Sequence, residues 1–182
     1  RLTSFRVDQG LFQPPKDPEA LERLRLQVLG GAYKLVDRSG EPDYGKGYNV
    51  VNIMACGAVV PEAVEASRQL IDEGIFANVI NVTGAGPLYH RFQEQVRAQI
   101  GGAAASPFLA DVISIAERTA PIVTVIDGHP HTLAWIGAAM KTATFPLGVS
   151  GYGQSGNPPE LYREYEIDST SIVAACFGAL GI

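Results

Sequence analysis

The chain has 182 residues, 46% of them hydrophobic and 18% charged, with a formal net charge of −5. That length supports one domain, or one domain with a short piece of another, and a core that needs no disulfide or metal to hold it. The acidic balance and the scattered Lys and Arg exclude nucleic acid as a partner, because binding phosphate backbones needs clustered cations. No apolar run approaches the roughly 18 residues of a membrane span, and no charged start followed by an apolar stretch suggests a signal peptide.

Arg1 to Val7 alternates like a strand, and three prolines follow between Gly10 and Pro18. A lone strand is not a domain, so residues 1–29 are expected to be the tail strand of a preceding domain, a linker and a helix. That helix begins at Asp17-Pro18 and turns Leu21, Leu24 and Val28 inward. The first residue is Arg1, not Met, which suits a chain processed or excised from a longer one.

Residues 30–182 read as one α/β domain. Short runs rich in β-branched residues stand at Asn49–Ala55, Asn78–Thr83 and Pro121–Ile126, apolar on both alternating faces as in strands covered from both sides. Ala143–Leu147 is a fourth, which Pro146 demotes to an edge, and Ala32–Val36 adds a further strand, antiparallel at an edge. Helical patterns fall between them. One starts near Pro61 and stops at Gly74, and another carries Leu88, Phe92, Val96 and Ile100. A third is expected from Ser106-Pro107, with Phe108, Val112 and Ile115 as its inner face. His131 to Met140, Pro158 to Tyr165 and a last helix capped by Asp168 complete the series. Strand and helix in alternation predict a three-layer α/β/α domain whose mostly parallel sheet has about five strands.

Cys56 and Cys176 lie far apart, form no C-x-x-C pair and sit in apolar runs, as reduced buried thiols of a cytoplasmic protein do. Two constellations could carry a ligand. Gly151-Tyr-Gly153-Gln154-Ser155-Gly156 matches G-x-G-x-x-G, in which glycines let a pyrophosphate approach a helix start. A second strand bearing an acidic residue should follow that helix, but another helix closes the chain, so a packed glycine turn is the reading preferred. Asp127-Gly-His129-Pro-His131 follows the strongest strand, where ligands of open α/β sheets gather. Three local groups, Asp127, His129 and His131, could serve a metal, acid–base chemistry or an interface. The simpler role is to satisfy donors at the next helix start. Thr83-Gly-Ala-Gly86 lacks the Gly-Lys-Ser/Thr ending of a phosphate loop.

The last third carries a resemblance. Val123 to His129, Leu147 to Gly156, Glu160 to Tyr165, and Ile167-Asp168 through Ala175 resemble the C-terminal domain of the transketolase superfamily. The most specific stretch is Gly153-Gln-Ser-Gly156, then Leu161-Tyr-Arg163 and Ile167-Asp168. Gly31 to Leu35 and the run ending Cys56-Gly57 are similar to the homodimeric pyruvate dehydrogenase branch. The resemblance implies a parent enzyme that uses thiamine diphosphate and magnesium to cleave a bond beside a carbonyl, working as a homodimer. In that family the cofactor is clasped by other domains, through a Gly-Asp-Gly motif followed by paired asparagines and an activating glutamate. Neither the Gly-Asp-Gly nor the asparagine pair occurs here, since Asp127-Gly128 follows Ile126. No catalytic, cofactor or metal residue is therefore carried over. The expectation is a noncatalytic domain, inactive alone, that serves dimer assembly with the remaining domains of the parent and contacts a partner such as an acyltransferase or a regulatory ligand. Gly153, Gln154, Ser155, Asp127, His129 and His131 stand as ligand or interface candidates. The alternative is a stand-alone nucleotide or small-ligand binding module.

Overall fold

The computed structural model describes residues 13–46, 48–104 and 106–182. The strand expected at Arg1–Val7 lies outside them. Helix α1 (Pro18–Leu29) forms where expected, with the Asp17 carboxylate accepting from the Ala20 N–H at 2.8 Å and Pro18 in the first turn. Its expected inner face is only partly inward: Leu24 is half-buried, whereas Leu21 and Val28 are exposed. The helix touches little of this domain beyond the first strand.

Five strands form one sheet in the order β1-β3-β2-β4-β5. They are β1 (Ala32–Val36), β2 (Val50–Cys56), β3 (Phe76–Val82), β4 (Ile122–Ile126) and β5 (Thr144–Leu147). All neighbours run parallel except β1, which pairs antiparallel with β3, Ala32 opposite Val82. β5 is the other edge, as its proline required. The Ile122 N–H bonds outward to Ala143. In a parallel ladder this turns Pro146 away from β4, so the residue without an N–H faces the open edge, where it blunts strand addition.

The strands are apolar on both faces because helices cover both. Val51, Ile53, Ala55, Val79, Val123 and Val125 pack against α2 (Val60–Asp72) and α6 (Ser169–Leu180). Met54, Ile80, Val82, Ile122 and Ile126 pack against α3 (Ala85–Ile100), α4 (His131–Met140) and residues 108–113. Helix α5 (Pro158–Glu164) joins β5 to α6, and the Asp168 carboxylate caps α6 by accepting from the Ser171 N–H at 3.1 Å.

The helix expected from Ser106-Pro107 is absent. Leu109 adopts φ +57°, which breaks a right-handed helix after one turn, and only a short 3-10 turn, Ile115–Glu117, follows. Phe108 and Val112 are buried as expected, but Ile115 is 87% exposed. Its place inside is taken by Glu117, only 3% exposed.

Glu117 is held by six donor contacts. Lys34 Nζ reaches both carboxylate oxygens at 2.8 and 2.9 Å, and the Tyr44 hydroxyl and Asn78 amide donate to Oε1 at 2.7 and 3.1 Å. The Ser114 N–H and hydroxyl donate to Oε2 at 2.9 and 2.7 Å. Behind it, Asn52 Nδ2 donates to the Glu117 carbonyl at 3.1 Å, and Asn78 Oδ1 accepts from the Arg38 N–H at 2.9 Å. Burial alone pushes the Glu117 carboxyl up, but the hydrogen bonds from Lys34, Tyr44 and Ser114 outweigh it and hold the group at about 2. The same burial raises the Tyr44 phenol, with Glu117 adding to the rise.

A carboxylate held below its unfolded value of about 4.3 stabilises the fold above that pH, and the stabilisation fades as pH falls through the folded value. Acid titration of the unfolding free energy should therefore show a loss of roughly 3 kcal/mol from this group between about pH 4.5 and 2. Glu117→Gln should flatten that step. An unchanged acid slope in the variant would contradict the assignment.

Candidate ligand site at the strand ends

The connection after β2 enters α2 on one face of the sheet, and the connection after its neighbour β4 enters α4 on the other. Adjacent strands whose connections leave in opposite directions open a crevice beyond their carboxyl ends, where ligands of such sheets bind. Here the crevice lies between Gly57 and Asp127.

It is narrow. Asp127 follows directly on β4, and a Cβ placed on Gly57 would lie 2.7 Å from its Oδ1. Gly57 also has φ +81°, so both the space and the backbone there demand glycine. A second carboxylate, Glu62, makes the region acidic. The Tyr162 phenol is raised first by burial and then by the charges of Asp127 and Glu62. Glu62 Oε2 accepts from the Ser169 N–H at 2.9 Å, tying α2 to the start of α6.

His129 and His131 lie at the start of α4, both exposed, their rings 4.8 Å apart and edge to face. His129 Nδ1 accepts from the His131 N–H at 3.3 Å, the donor-satisfying role expected for this turn. The loop after β5 is rooted beside them. The Val149 N–H bonds the Gly128 carbonyl at 2.8 Å, and a Cβ on Gly148 would meet that oxygen at 2.6 Å. Gly151 to Gly156 then run fully exposed, and Tyr165 pins them: its hydroxyl donates to the Tyr152 carbonyl and accepts from the Gln154 N–H at 2.9 Å.

The fold thus brings the roots of both candidate loops together and leaves their tips apart. Among the described residues no hydrogen bond joins His129 or His131 to Gly153, Gln154 or Ser155. The glycine loop leads into the seven-residue α5 and then another helix, without the strand a dinucleotide site needs. Among the described residues no three His, Cys, Asp or Glu are grouped to hold a metal. The two grooves of about 740 and 640 Å³ lie elsewhere, one beside Arg91 and Asp111 and one at the amino edge of the sheet. No described helix is long and apolar enough to cross a membrane.

Sequence reasoning missed Tyr162, Tyr165, Glu62 and the Glu117 cluster. The signal for the last was present in Asn52 and Asn78, two buried amides inside largely apolar strands.

Fold and strand-end crevice define an open α/β domain with one antiparallel edge strand. Residues 31–168 match the model of the transketolase-like TK C-terminal domain, and the chain belongs to that family. Solved structures share the fold. A Pichia stipitis transketolase in complex with xylulose-5-phosphate superposes with TM-score 0.58 at 20% identity, over 86% of this chain and 19% of that one. Leishmania mexicana transketolase gives 0.55 at 20%, with the same shares. A split-gene transketolase described as an inactive beta4 tetramer gives 0.51 at 19%, over 84% of this chain and 43% of that one. The chain therefore spans about a fifth of the first two. No curated protein matches it significantly.

The family implies thiamine diphosphate and magnesium in the whole enzyme, but the residues here do not fit them. The Asp127 carboxylate stands against Gly57, and the crevice's charged groups, Asp127 and Glu62, would repel a diphosphate.

Gly57→Ala should destabilise the protein by about 2 kcal/mol through backbone strain and the clash with Asp127. His129→Ala, at an exposed position, should change stability by less than about 0.5 kcal/mol. Urea unfolding of both variants checks the contrast, and equal effects would contradict this account of the crevice.

Proposed function

We propose that the chain is a noncatalytic C-terminal domain of a thiamine diphosphate-dependent enzyme, and that it acts in assembly of the parent. The observation that carries this reading is helix α1. It exposes Leu21, Leu26 and Leu29 at 46, 57 and 63%. Leucines of an amphipathic helix are ordinarily covered by a neighbour, and in this reading the remaining domains of the parent cover them. The family match and the small share of transketolase chains that this domain spans support the same reading.

The parent is a cytoplasmic homodimer. Its branch is either transketolase-like, acting on sugar phosphates, or pyruvate dehydrogenase-like, in which case contact with an acyltransferase partner belongs to this domain. The residues Gly31 to Leu35 and Cys56-Gly57 favour the dehydrogenase branch, and the solved neighbours favour transketolase.

A second reading rests on the switch point itself, where Asp127, His129, His131 and the loop with Gly153, Gln154 and Ser155 share one end of the sheet. There the chain is a nucleotide or small-ligand module, free-standing or regulatory within the parent.

Calorimetry of this chain with magnesium and thiamine diphosphate should show no binding at millimolar cofactor. A micromolar affinity would overturn the assembly reading. A nucleotide that perturbs the NMR signals of His129 and His131 would favour the second.

A further inference from the structure

Two segments far apart in sequence meet at Glu117. The first is the connection after β1, residues 37–46, and the second is residues 114–120. The first is tied to the sheet at its start, where the Arg38 N–H bonds Asn78 Oδ1 at 2.9 Å and Arg38 Nε reaches Ser67 at 3.1 Å; further along, the Tyr44 N–H bonds Glu41 at 3.2 Å, the Lys46 N–H bonds Asp43 at 3.1 Å, and Asn49 Nδ2 donates to the Asp43 carbonyl at 3.2 Å. The second is a single 3-10 turn with the Glu117 N–H on Ser114 at 3.1 Å and the Ala120 N–H on Glu117 at 3.2 Å. Neither run buries enough to hold its shape alone, and such segments ordinarily open locally and independently.

The carboxylate removes that independence. Oε1 takes the Tyr44 hydroxyl from the first segment, and Oε2 takes the Ser114 N–H and hydroxyl from the second. Lys34 bridges the two oxygens from β1, so losing the Tyr44 hydroxyl leaves Oε1 one donor short and loosens the carboxylate that the second segment carries. Asn78 adds a cross-link, since its Nδ2 lies 2.8 Å from the Tyr44 hydroxyl as well as 3.1 Å from Oε1. The same two segments form opposing walls of the 640 Å³ groove at the amino edge of the sheet, Gly45 on one side and Ala116 and Thr119 on the other.

We infer that Glu117 is a two-sided latch that couples residues 37–46 to residues 114–120, so that the two walls of this groove open and close as one unit. Coupling of this kind is a free energy shared between sites and acts in both directions. Loosening either wall therefore loosens the other, while the strands behind them stay shut.

Amide hydrogen exchange followed by NMR tests this with two variants that each remove one hydroxyl. Tyr44→Phe keeps the ring on Phe76, 5.9 Å away, and Ser114→Ala keeps its N–H bond to Oε2. Tyr44→Phe should speed exchange at the Ser114, Glu117 and Ala120 amides about tenfold, and Ser114→Ala should do the same at the Tyr44 and Lys46 amides. Glu117→Gln should speed both sets. In all three the Ile53 and Val79 amides should stay protected. Acceleration confined to the substituted segment would overturn the latch, because the walls would then move separately. Equal acceleration at Ile53 and Val79 would overturn it too, by making Glu117 a support of the whole domain.

Discussion

One buried carboxylate organises the amino end of this sheet. Glu117 sits where a half-turn of chain replaces a helix, and leaving it unpaired would cost several kcal/mol. The fold answers with donors from β1, from the loop after it, from β3 and from the residue three before it. Asn52 and Asn78 are polar residues in largely apolar strands, and they serve this anion and its carbonyl. The two ends of the sheet are thus built differently, the amino end around a satisfied charge and the carboxyl end around glycines in close contact.

That carboxyl end accounts for the residues most suggestive in the sequence. Asp127 packs on Gly57, His129 receives the N–H of His131, and the glycine-rich loop is tied down by Tyr165. Each of these has a local structural job, and the carboxylates of Asp127 and Glu62 make the site acidic. An acidic crevice and a helix whose leucines this domain leaves exposed fit the proposed role in contact with the rest of an enzyme.

Strands were legible because β-branched residues filled both faces and glycine or proline marked the ends. Even the edge placement of β5 followed from Pro146, and the antiparallel β1 from its position before the first crossover. The caps at Asp17 and Asp168 were equally plain, since each carboxylate stands directly before its helix. The failures share a cause. Phe108 and Val112 are spaced like a helical face, but Leu109 in the left-handed region turns that spacing into a compact irregular segment. Periodicity records which residues go inside and not the backbone that carries them there. Leu21 and Val28 show the complementary limit: α1 has an apolar face, and this domain does not cover it. Glu117 was illegible because its burial depends on Lys34 and Tyr44, more than seventy residues earlier.

The proposed role, contacts without chemistry, is checked in the whole enzyme carrying Leu26→Asp with Leu29→Asp, followed by sedimentation and activity on the same samples. The dimer should dissociate at least tenfold more readily, while activity per remaining dimer at saturating cofactor stays unchanged. A fully dimeric variant whose turnover has fallen would contradict it.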